Sequence, residues 1–179
     1  MRILVVSDTH GDENGLHKVL LSQPKAEIVI HLGDGENDVE VQKYRFPQKM
    51  FLQVRGNCDW ASRLPDKGEC MVEGVRIFYT HGHIYQVKYG IDEFERAARE
   101  NKANIALYGH THRAETVYRD GLYIMNPGSM RGSYGTYGII DITPQGIVTN
   151  IIDRKYPLLT RVVIDIDGQE GYSINREFL

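Results

Sequence analysis

The chain of 179 residues lacks the features that mark secreted and membrane proteins. Its two cysteines, Cys58 and Cys70, are too few for a disulfide framework and fit no zinc-binding spacing. The first apolar run, residues 3–6, is followed at once by Ser7 and Asp8, so it is too short for a signal peptide or a membrane span. We therefore expect a reduced, cytoplasmic protein without a membrane segment.

Clustered positive charge is also lacking. The 21 lysine and arginine residues are scattered among 24 aspartate and glutamate residues, and the formal net charge is −3. No basic run or stripe is present to bind a polynucleotide or an anionic membrane. The length fits a single domain over residues 1–179, which is large enough to bury a core without covalent staples.

Strand and helix patterns alternate in the first half of the chain. Short β-branched runs predict strands at residues 2–6, 27–32, 50–54, 69–73, 76–80 and 104–108. Apolar residues on one face predict a helix at residues 12–21, with Asp12 and Asn14 as candidate N-caps. The short polar stretch 38–44 is also expected to be helical. A third helix is predicted at residues 92–102, where Asp92 and Glu95 form a variant of the capping box.

Only strands are predicted after residue 112. They lie at residues 115–118, 122–125, 137–142, 147–153 and 159–166. The turn Arg119-Asp120-Gly121 predicts that the first two form a hairpin. Together with the first half, this order predicts an α/β protein in which two sheets pack face to face and helices cover the outside.

Histidine and aspartate recur in short clusters at the ends of predicted strands. The clusters are Ser7-Asp8-Thr9-His10, His31-Leu32-Gly33-Asp34, Gly56-Asn57-Cys58-Asp59, Thr80-His81-Gly82-His83 and Gly109-His110-Thr111-His112. Carboxyl ends of strands in α/β sheets are where ligands bind, so we expect the clusters to converge at one edge. Two carboxylates, four imidazoles and one amide are enough to hold two divalent cations. The pattern therefore predicts a hydrolytic metalloenzyme whose loaded site is positive and suits a phosphate.

Each cluster alone has a structural explanation, because a single histidine is more often packed or solvated than a metal ligand. Five clusters, all at predicted strand ends, make a coincidence implausible. Outside this set, we expect His17 to be solvated on the first helix and His31 to be a packed imidazole. For His83 the pattern leaves two readings open, a structural side chain or one that lines the substrate pocket. The mixture of oxygen and nitrogen ligands favours Mn, Fe, Zn, Co or Ni over Ca or Mg.

The motif series resembles the calcineurin-like metallophosphoesterases. It consists of Asp8-x-His10, Gly33-Asp34, Gly56-Asn57-Cys58-Asp59, His81-Gly82-His83 and Gly109-His110-x-His112. Within that family it is similar to the small single-domain phosphodiesterases of bacteria and archaea, which also share an element like Asn126-Pro127-Gly128-Ser129. The resemblance covers about residues 1–152. It implies a four-layer αββα sandwich of two mixed β-sheets flanked by helices.

The resemblance also implies a site for two divalent ions, with Mn expected and Fe, Zn, Ni or Co as alternatives. The implied ligands are Asp8, His10 and His112 for one ion, Asn57, His81 and His110 for the other, and Asp34 as the bridge between them. A hydroxide held between two such ions is expected to attack phosphorus while both ions neutralise charge on the phosphoryl oxygens. In this scheme Asp34, Asn57 and His81 act in catalysis through that hydroxide.

Cys58 departs from the larger relatives, which carry a histidine after the asparagine to protonate the leaving group. A thiol is a poor acid for an alkoxide near neutral pH. We therefore expect Cys58 to be a poor leaving-group acid, and the protein to prefer substrates with aryl or nucleotidyl leaving groups. We expect Asp59, which would orient that histidine, to be structural instead.

The leading prediction is a metal-dependent phosphodiesterase acting on small phosphodiesters. One alternative is a scaffold protein, since a retromer subunit resembles this branch in fold but has lost part of the ligand set; here all seven positions are filled. Another is a nuclease or cyclic-nucleotide hydrolase, although no aromatic and basic surface is organised to bind a strand. The loops at residues 35–38 and 131–137 are expected to set substrate choice. Strand edges in the C-terminal third could pair in a homo-oligomer.

Overall fold

The computed structural model describes residues 1–155, 161–164 and 172–174, the last two segments by their backbone alone. The described elements follow each other in this order: β1 (Arg2–Val6), α1 (Glu13–Ser22), β2 (Ile28–His31), α2 (Glu36–Arg45), β3 (Met50–Gln53), β4 (Lys67–Val72), β5 (Val75–Thr80), a 3-10 turn (His83–Tyr85), α3 (Asp92–Glu100), β6 (Ile105–Leu107), β7 (Glu115–Arg119), β8 (Leu122–Asn126), β9 (Thr136–Thr143), β10 (Gly146–Asp153), β11 (Arg161–Ile164) and β12 (Tyr172–Ile174). None of the helices in these segments is long and apolar enough to cross a membrane.

The strands form two mixed sheets. The first has the spatial order β12-β11-β10-β9-β1-β2-β3, and the second has the order β4-β5-β6-β8-β7. In the first sheet β1, β2 and β3 are parallel to one another, while β1 pairs antiparallel with β9. In the second sheet β5, β6 and β8 are parallel, with β4 and β7 antiparallel at the edges. Each sheet therefore contains three parallel strands whose carboxyl ends carry connecting loops.

Side-chain alternation along β1 explains how the layers form. Ile3 and Val5 belong to the apolar cluster between the two sheets, whereas Leu4 and Val6 belong to the cluster that covers the opposite face. Successive residues of a strand point to opposite faces, so an uninterrupted apolar run builds a strand buried on both sides. The sequence 3–6 is such a run, and all four side chains are fully buried.

The helices form the two outer layers. Buried residues of α1 and α2, among them Leu16, Leu20 and Val39, pack on the first sheet. Phe94 and Ala98 of α3 pack on the outer face of the second sheet. The predicted four-layer αββα arrangement of two mixed sheets is confirmed.

Two local predictions were wrong. The capping box of α3 does not form, because the N-cap is Ile91 and no side chain caps the helix. Glu95 instead pairs with Arg99 and with Arg119 of the β7–β8 hairpin. His17 is not simply solvated, since its Nδ1 lies 2.9 Å from Oε1 of Gln42 on α2. The turn at His83–Tyr85 and the strand β12 were not predicted, and the outer ends of the predicted strand 159–166 lie outside the described residues.

Adjacent leucines on α1 offer a test of this packing. Leu20 is 1% exposed and Leu21 is 60% exposed. We expect Leu20→Ala to lower the free energy of unfolding by about 2–5 kcal/mol, because it leaves a cavity against the first sheet. Leu21→Ala should change it by less than about 0.5 kcal/mol. Urea unfolding of the two variants measures the difference, and equal losses would contradict this placement of α1.

Candidate metal centre

The candidate ligands lie in loops at the carboxyl ends of parallel strands of both sheets. Asp8 and His10 follow β1, Asp34 follows β2 and Asn57 follows β3. On the second sheet His81 follows β5, and the pair His110 and His112 follows β6. The structure brings all seven side chains into one continuous group along the top of the sandwich.

Asp8, His10 and His112 form one end of this group. Nε2 of His112 lies 3.1 Å from Oδ1 of Asp8 and 3.4 Å from Nε2 of His10. Asp8 is fully buried and His112 is exposed, so this end opens to solvent on the histidine side. The three residues can offer one carboxylate oxygen and two ring nitrogens to a single cation.

Asn57, His81 and His110 form the other end. Nε2 of His81 lies 3.0 Å from Oδ1 of Asn57 and 3.1 Å from Nδ1 of His110. Asp34 lies between the two ends, with Oδ2 at 3.5 Å from Nε2 of His81 and 3.8 Å from Nε2 of His10. Asp34 is thus the carboxylate that both ends share.

The hydrogen bonds around His81 leave acceptor atoms facing one another at the centre of the group. Its Nδ1–H donates to the carbonyl oxygen of Leu32 at 2.8 Å, so in the neutral ring Nε2 carries the lone pair that faces Asn57 and His110. Burial, with help from His81 and Lys88, lowers the pKa of His110 to about 4, so His110 is uncharged near neutral pH. Carboxylate, amide and imidazole acceptors then face each other within about hydrogen-bonding distance. These oxygen and nitrogen atoms can all act as ligands, so the group fits divalent cations.

Backbone strain is concentrated in the same residues. Among the described residues, nine other than glycine have a positive φ. Five of them are candidate ligands: Asp8, His10, Asp34, His110 and His112. A side chain in this left-handed region costs on the order of 1 kcal/mol or more and persists where the surroundings determine it, which occurs mostly at functional sites.

Two glycines beside the ligands allow close approach of the loops. A Cβ atom at Gly56 would lie 2.0 Å from Oδ1 of Asp34, and one at Gly109 would lie 2.0 Å from Oγ of Ser7. Any larger residue would therefore displace Asp34 or the segment that carries Asp8.

Comparison with known proteins agrees with this geometry. Residues 1–145 match the family model of the calcineurin-like phosphoesterase superfamily domain. The chain belongs to this superfamily.

Several relatives are small proteins matched over most of their length. Probable metallophosphoesterase YsnB of Bacillus subtilis is 31% identical over 133 residues, which cover 73% of this chain and 76% of YsnB. Vacuolar protein sorting-associated protein 29 of Schizosaccharomyces pombe is 26% identical over 159 residues, covering 84% and 85% of the two chains. Phosphodiesterase YfcE of Escherichia coli K12 is 27% identical over 169 residues, covering 79% and 88%.

A solved structure shows the same architecture. The crystal structure of a predicted phosphoesterase from Streptococcus pneumoniae TIGR4 superimposes with a TM-score of 0.76 at 26% identity, and covers 90% of this chain and 95% of its own. The fold and the superfamily expected from the motif series are both confirmed.

Asp59 has the structural role expected where position 58 holds Cys58 and no histidine. Its carboxylate accepts hydrogen bonds from the backbone amides of Asp34, Gly35, Glu36 and Gly56, at 2.8–3.2 Å. Burial alone would raise the pKa of Asp59, but these amides outweigh it and lower the pKa below its usual value. Asp59 thereby ties the loop of Asn57 to the loop of Asp34.

A buried hydrogen-bond chain that the motif series did not reveal supports the His10 loop. The amide of Gly33 donates to Nδ1 of His31, and Nε2 of His31 lies 3.3 Å from Oγ1 of Thr9. Thr9 then donates to Oδ2 of Asp38, which also accepts from the amide of Gly11. Burial lowers the pKa of His31 to about 4, so it is a neutral packed ring, as expected.

Asn126 and Ser129 anchor two ligand loops at once. The amide of Asn126 donates to the carbonyl of Gly109 and to Oγ1 of Thr111. The hydroxyl of Ser129 donates to the carbonyl of Asp8. The motif series gave these two residues no role, because their contacts join separate segments of the chain. The contact of Ser129 spans more than 100 positions.

Cys58 and His83 lie beside the ligands. Sγ of Cys58 is within 4.8 Å of ligand atoms of His10 and Asp34, and the three line an open cavity of about 200 Å³. Partial burial and Asp34 raise the pKa of the thiol to about 11, so it stays protonated near neutral pH. The His83 ring lies 5.4 Å from that of His81, and its Nε2 is 3.9 Å from Oδ1 of Asp66. His83 therefore borders the group from outside.

The hydrogen bonds to Asp59 make a specific prediction for the metal-free protein. We expect Asp59→Asn to lower the free energy of unfolding by about 1–2 kcal/mol at pH 7, because an amide oxygen replaces the carboxylate that accepts four amide bonds. The folded pKa is depressed, so this stability is present above the unfolded pKa near 4 and is lost as the pH falls towards the folded value.

Urea unfolding of EDTA-treated protein at pH 7 and at pH 3 measures both effects. Asp120→Asn is the matched control, since Asp120 is exposed at a hairpin turn where asparagine is tolerated. A difference between Asp59→Asn and the wild type that does not shrink at pH 3 would contradict the role given to the carboxylate.

Proposed function

We propose that this chain is a metal-dependent phosphodiesterase that hydrolyses small phosphodiesters. The observation that carries the proposal is the convergence of seven acceptor side chains from both sheets, with five of them on strained backbone. When bound there, two divalent ions supply the positive charge that activates water and neutralises phosphoryl oxygens. The family assignment supports a phosphoric ester as the substrate.

The proposed ligands fall into the two ends described above. Asp8, His10 and His112 hold one ion, and Asn57, His81 and His110 hold the other. Asp34 is proposed as the shared ligand because its Oδ2 lies within 4 Å of imidazoles from both ends. The hydrogen bond from His81 to the Leu32 carbonyl keeps the ring in the orientation that presents Nε2.

A diester is proposed rather than a larger polymer for two reasons. YfcE, one of the relatives, is a phosphodiesterase by name. The cavity at His10, Asp34 and Cys58 has a volume of about 200 Å³, which accommodates a phosphoryl group and little more. Water activated by the bound ions supplies the nucleophile in this proposal, so we give Cys58 no such role.

Three finer features are also proposals. Mn is the proposed metal, with Fe, Zn, Ni and Co as alternatives, because the ligands combine oxygen and imidazole nitrogen. We propose a single domain over residues 1–179 and a cytoplasmic location, in keeping with the two free cysteines among the described residues.

The likeness to vacuolar protein sorting-associated protein 29 supports a second candidate function, a scaffold of the same fold. Fold alone does not decide between an enzyme and a scaffold. The full set of candidate ligands favours the enzyme, since a scaffold has no need to maintain seven converging acceptors, five of them on strained backbone.

Metal removal tests the proposal directly. We expect EDTA to abolish hydrolysis of bis-p-nitrophenyl phosphate and added Mn²⁺ to restore it, with the diester preferred over p-nitrophenyl phosphate. Asp34→Ala should reduce the restored rate by more than about 100-fold, because loss of an outer-sphere partner alone costs up to about that much. Asp141→Ala removes a surface carboxylate paired with Arg2 and is the control.

Metal content separates the two candidate functions. Elemental analysis of the Mn²⁺-loaded wild type should find two ions per chain, and fewer in Asp34→Ala. Bound metal with no turnover of either ester would contradict the phosphodiesterase, and absence of both metal and turnover would favour the scaffold.

Cys58 provides a test of leaving-group chemistry. We expect Cys58→His to raise the rate on an alkyl diester such as glycerophosphoethanolamine by at least about tenfold, because general acid catalysis contributes about 10²–10⁴ when the leaving group is poor. The gain on bis-p-nitrophenyl phosphate should be smaller. Cys58→Ser is the control that changes the thiol without adding an acid, and equal rates for the two variants on the alkyl diester would overturn this assignment.

A further inference from the structure

A second cavity adjoins the candidate metal centre and has a different chemical character. Its volume is about 430 Å³, and its lining includes Lys88, Tyr108, Thr111 and Arg113. We refer to it as the Lys88–Arg113 pocket. Thr111 stands between the candidate ligands His110 and His112, so the pocket begins where the metal centre ends.

The volumes of the two cavities suggest that they hold different parts of one substrate. Pockets for small molecules occupy about 300–1,000 Å³, and the cavity beside Asp34 is smaller than this range. The Lys88–Arg113 pocket falls within it. A diester that places its phosphoryl group at the ligands therefore has room for one of its substituents here.

The two basic side chains of the pocket have no acidic partner within the described part of the chain. Lys88 and Arg113 are both exposed, and neither side chain takes part in an ion pair or a hydrogen bond there. Glu115, the acidic residue of the lining, is engaged by the hydroxyl of Tyr108 instead. The two cations outnumber the single carboxylate of the lining, so the pocket offers net positive charge beside the centre.

The lining also includes apolar surface. Val87 and Ile91 contribute aliphatic surface, and the ring of Tyr108 belongs to the same cluster on the second sheet. Apolar surface under two cations suits a group with a compact carbon body and an anionic end. Arginine presents a fork that matches a phosphate, and lysine adds a point charge, so a dianionic phosphate gains more here than a carboxylate with one charge.

We propose that the Lys88–Arg113 pocket binds a second phosphate of the substrate, so that the preferred substrates are phosphodiesters carrying an additional phosphate group. The proposal rests on the phosphodiesterase function and deepens it, because it names the class of diester. It assigns Lys88 and Arg113 as specificity-determining residues that contact the substrate away from the scissile bond.

A matched pair of chromogenic diesters tests the proposal. Thymidine 5′-(p-nitrophenyl phosphate) and the same compound with a 3′-phosphate differ by one phosphate group. We expect the Mn²⁺-loaded wild type to prefer the 3′-phosphorylated compound by about tenfold in kcat/KM, mainly through KM. In the double variant Lys88→Gln/Arg113→Gln the ratio of the two kcat/KM values should fall to about one.

Lys25→Gln is the control for charge alone. Lys25 is exposed and precedes β2, at the opposite end of that strand from Asp34, so its loss should leave the tenfold ratio in place. A wild-type ratio near one, or a ratio that survives in the double variant, would overturn the proposal. Because the readout is a ratio within each variant, a general loss of activity does not imitate the expected result.

A binding measurement keeps the pocket testable apart from turnover. In EDTA-treated protein, calorimetry should show thymidine 3′,5′-bisphosphate binding about tenfold more tightly than thymidine 5′-monophosphate, and the double variant should lose this difference. If no diester is hydrolysed but the difference is found, the phosphodiesterase function fails and the pocket stands. If bis-p-nitrophenyl phosphate is hydrolysed and neither preference is found, the pocket alone fails.

Discussion

The fold brings the acceptor atoms of the candidate ligands together at a place where few hydrogen-bond donors face them. Asp8 and Asp34 are buried carboxylates, and Nε2 of His81 faces an amide oxygen and another ring nitrogen at about 3 Å. Mutual repulsion among such groups opposes the arrangement unless positive charge is supplied. The two-sheet architecture resists this repulsion, because each ligand follows a strand fixed in a buried parallel ladder. The buried strands therefore hold the strained loops in place against the repulsion among their acceptor groups.

Most of the fold could be predicted because the sequence states it locally. Alternation along residues 3–6, the glycine turns and the spacing of apolar residues on α1 each act over a few positions. The candidate ligands could be predicted for the same reason, since Asp8-x-His10 and His110-x-His112 are short motifs at strand ends. The roles of Asp38, Asn126 and Ser129 could not, because each acts through a hydrogen bond to the backbone of another segment. The failed capping box of α3 has a similar cause, since Glu95 is drawn to Arg119 on a separate hairpin.

The site also shows why one fold can serve both catalysis and assembly. Asp59, Asn126 and Ser129 bind backbone groups, so they hold the loops in place whether or not the ligands remain. A descendant that lost a ligand would keep the loops and the surface they form. The likeness to vacuolar protein sorting-associated protein 29 is compatible with this separation of support from chemistry. In this chain the supporting residues occur together with all seven candidate ligands.

The position of the charges links the centre to its surroundings. Acidic and acceptor groups occupy the middle of the site. Lys88 and Arg113, which have no ion-pair partner among the described residues, lie beyond His110 and Thr111. Cations placed among the ligands would compete with metal ions for Asp8 and Asp34, whereas cations at the margin leave the carboxylates free and still attract an anion. With divalent cations bound, the centre would be positive as well. An anion long enough to reach both regions would then be held at two points, which would set its orientation relative to the candidate ligands before any bond changes.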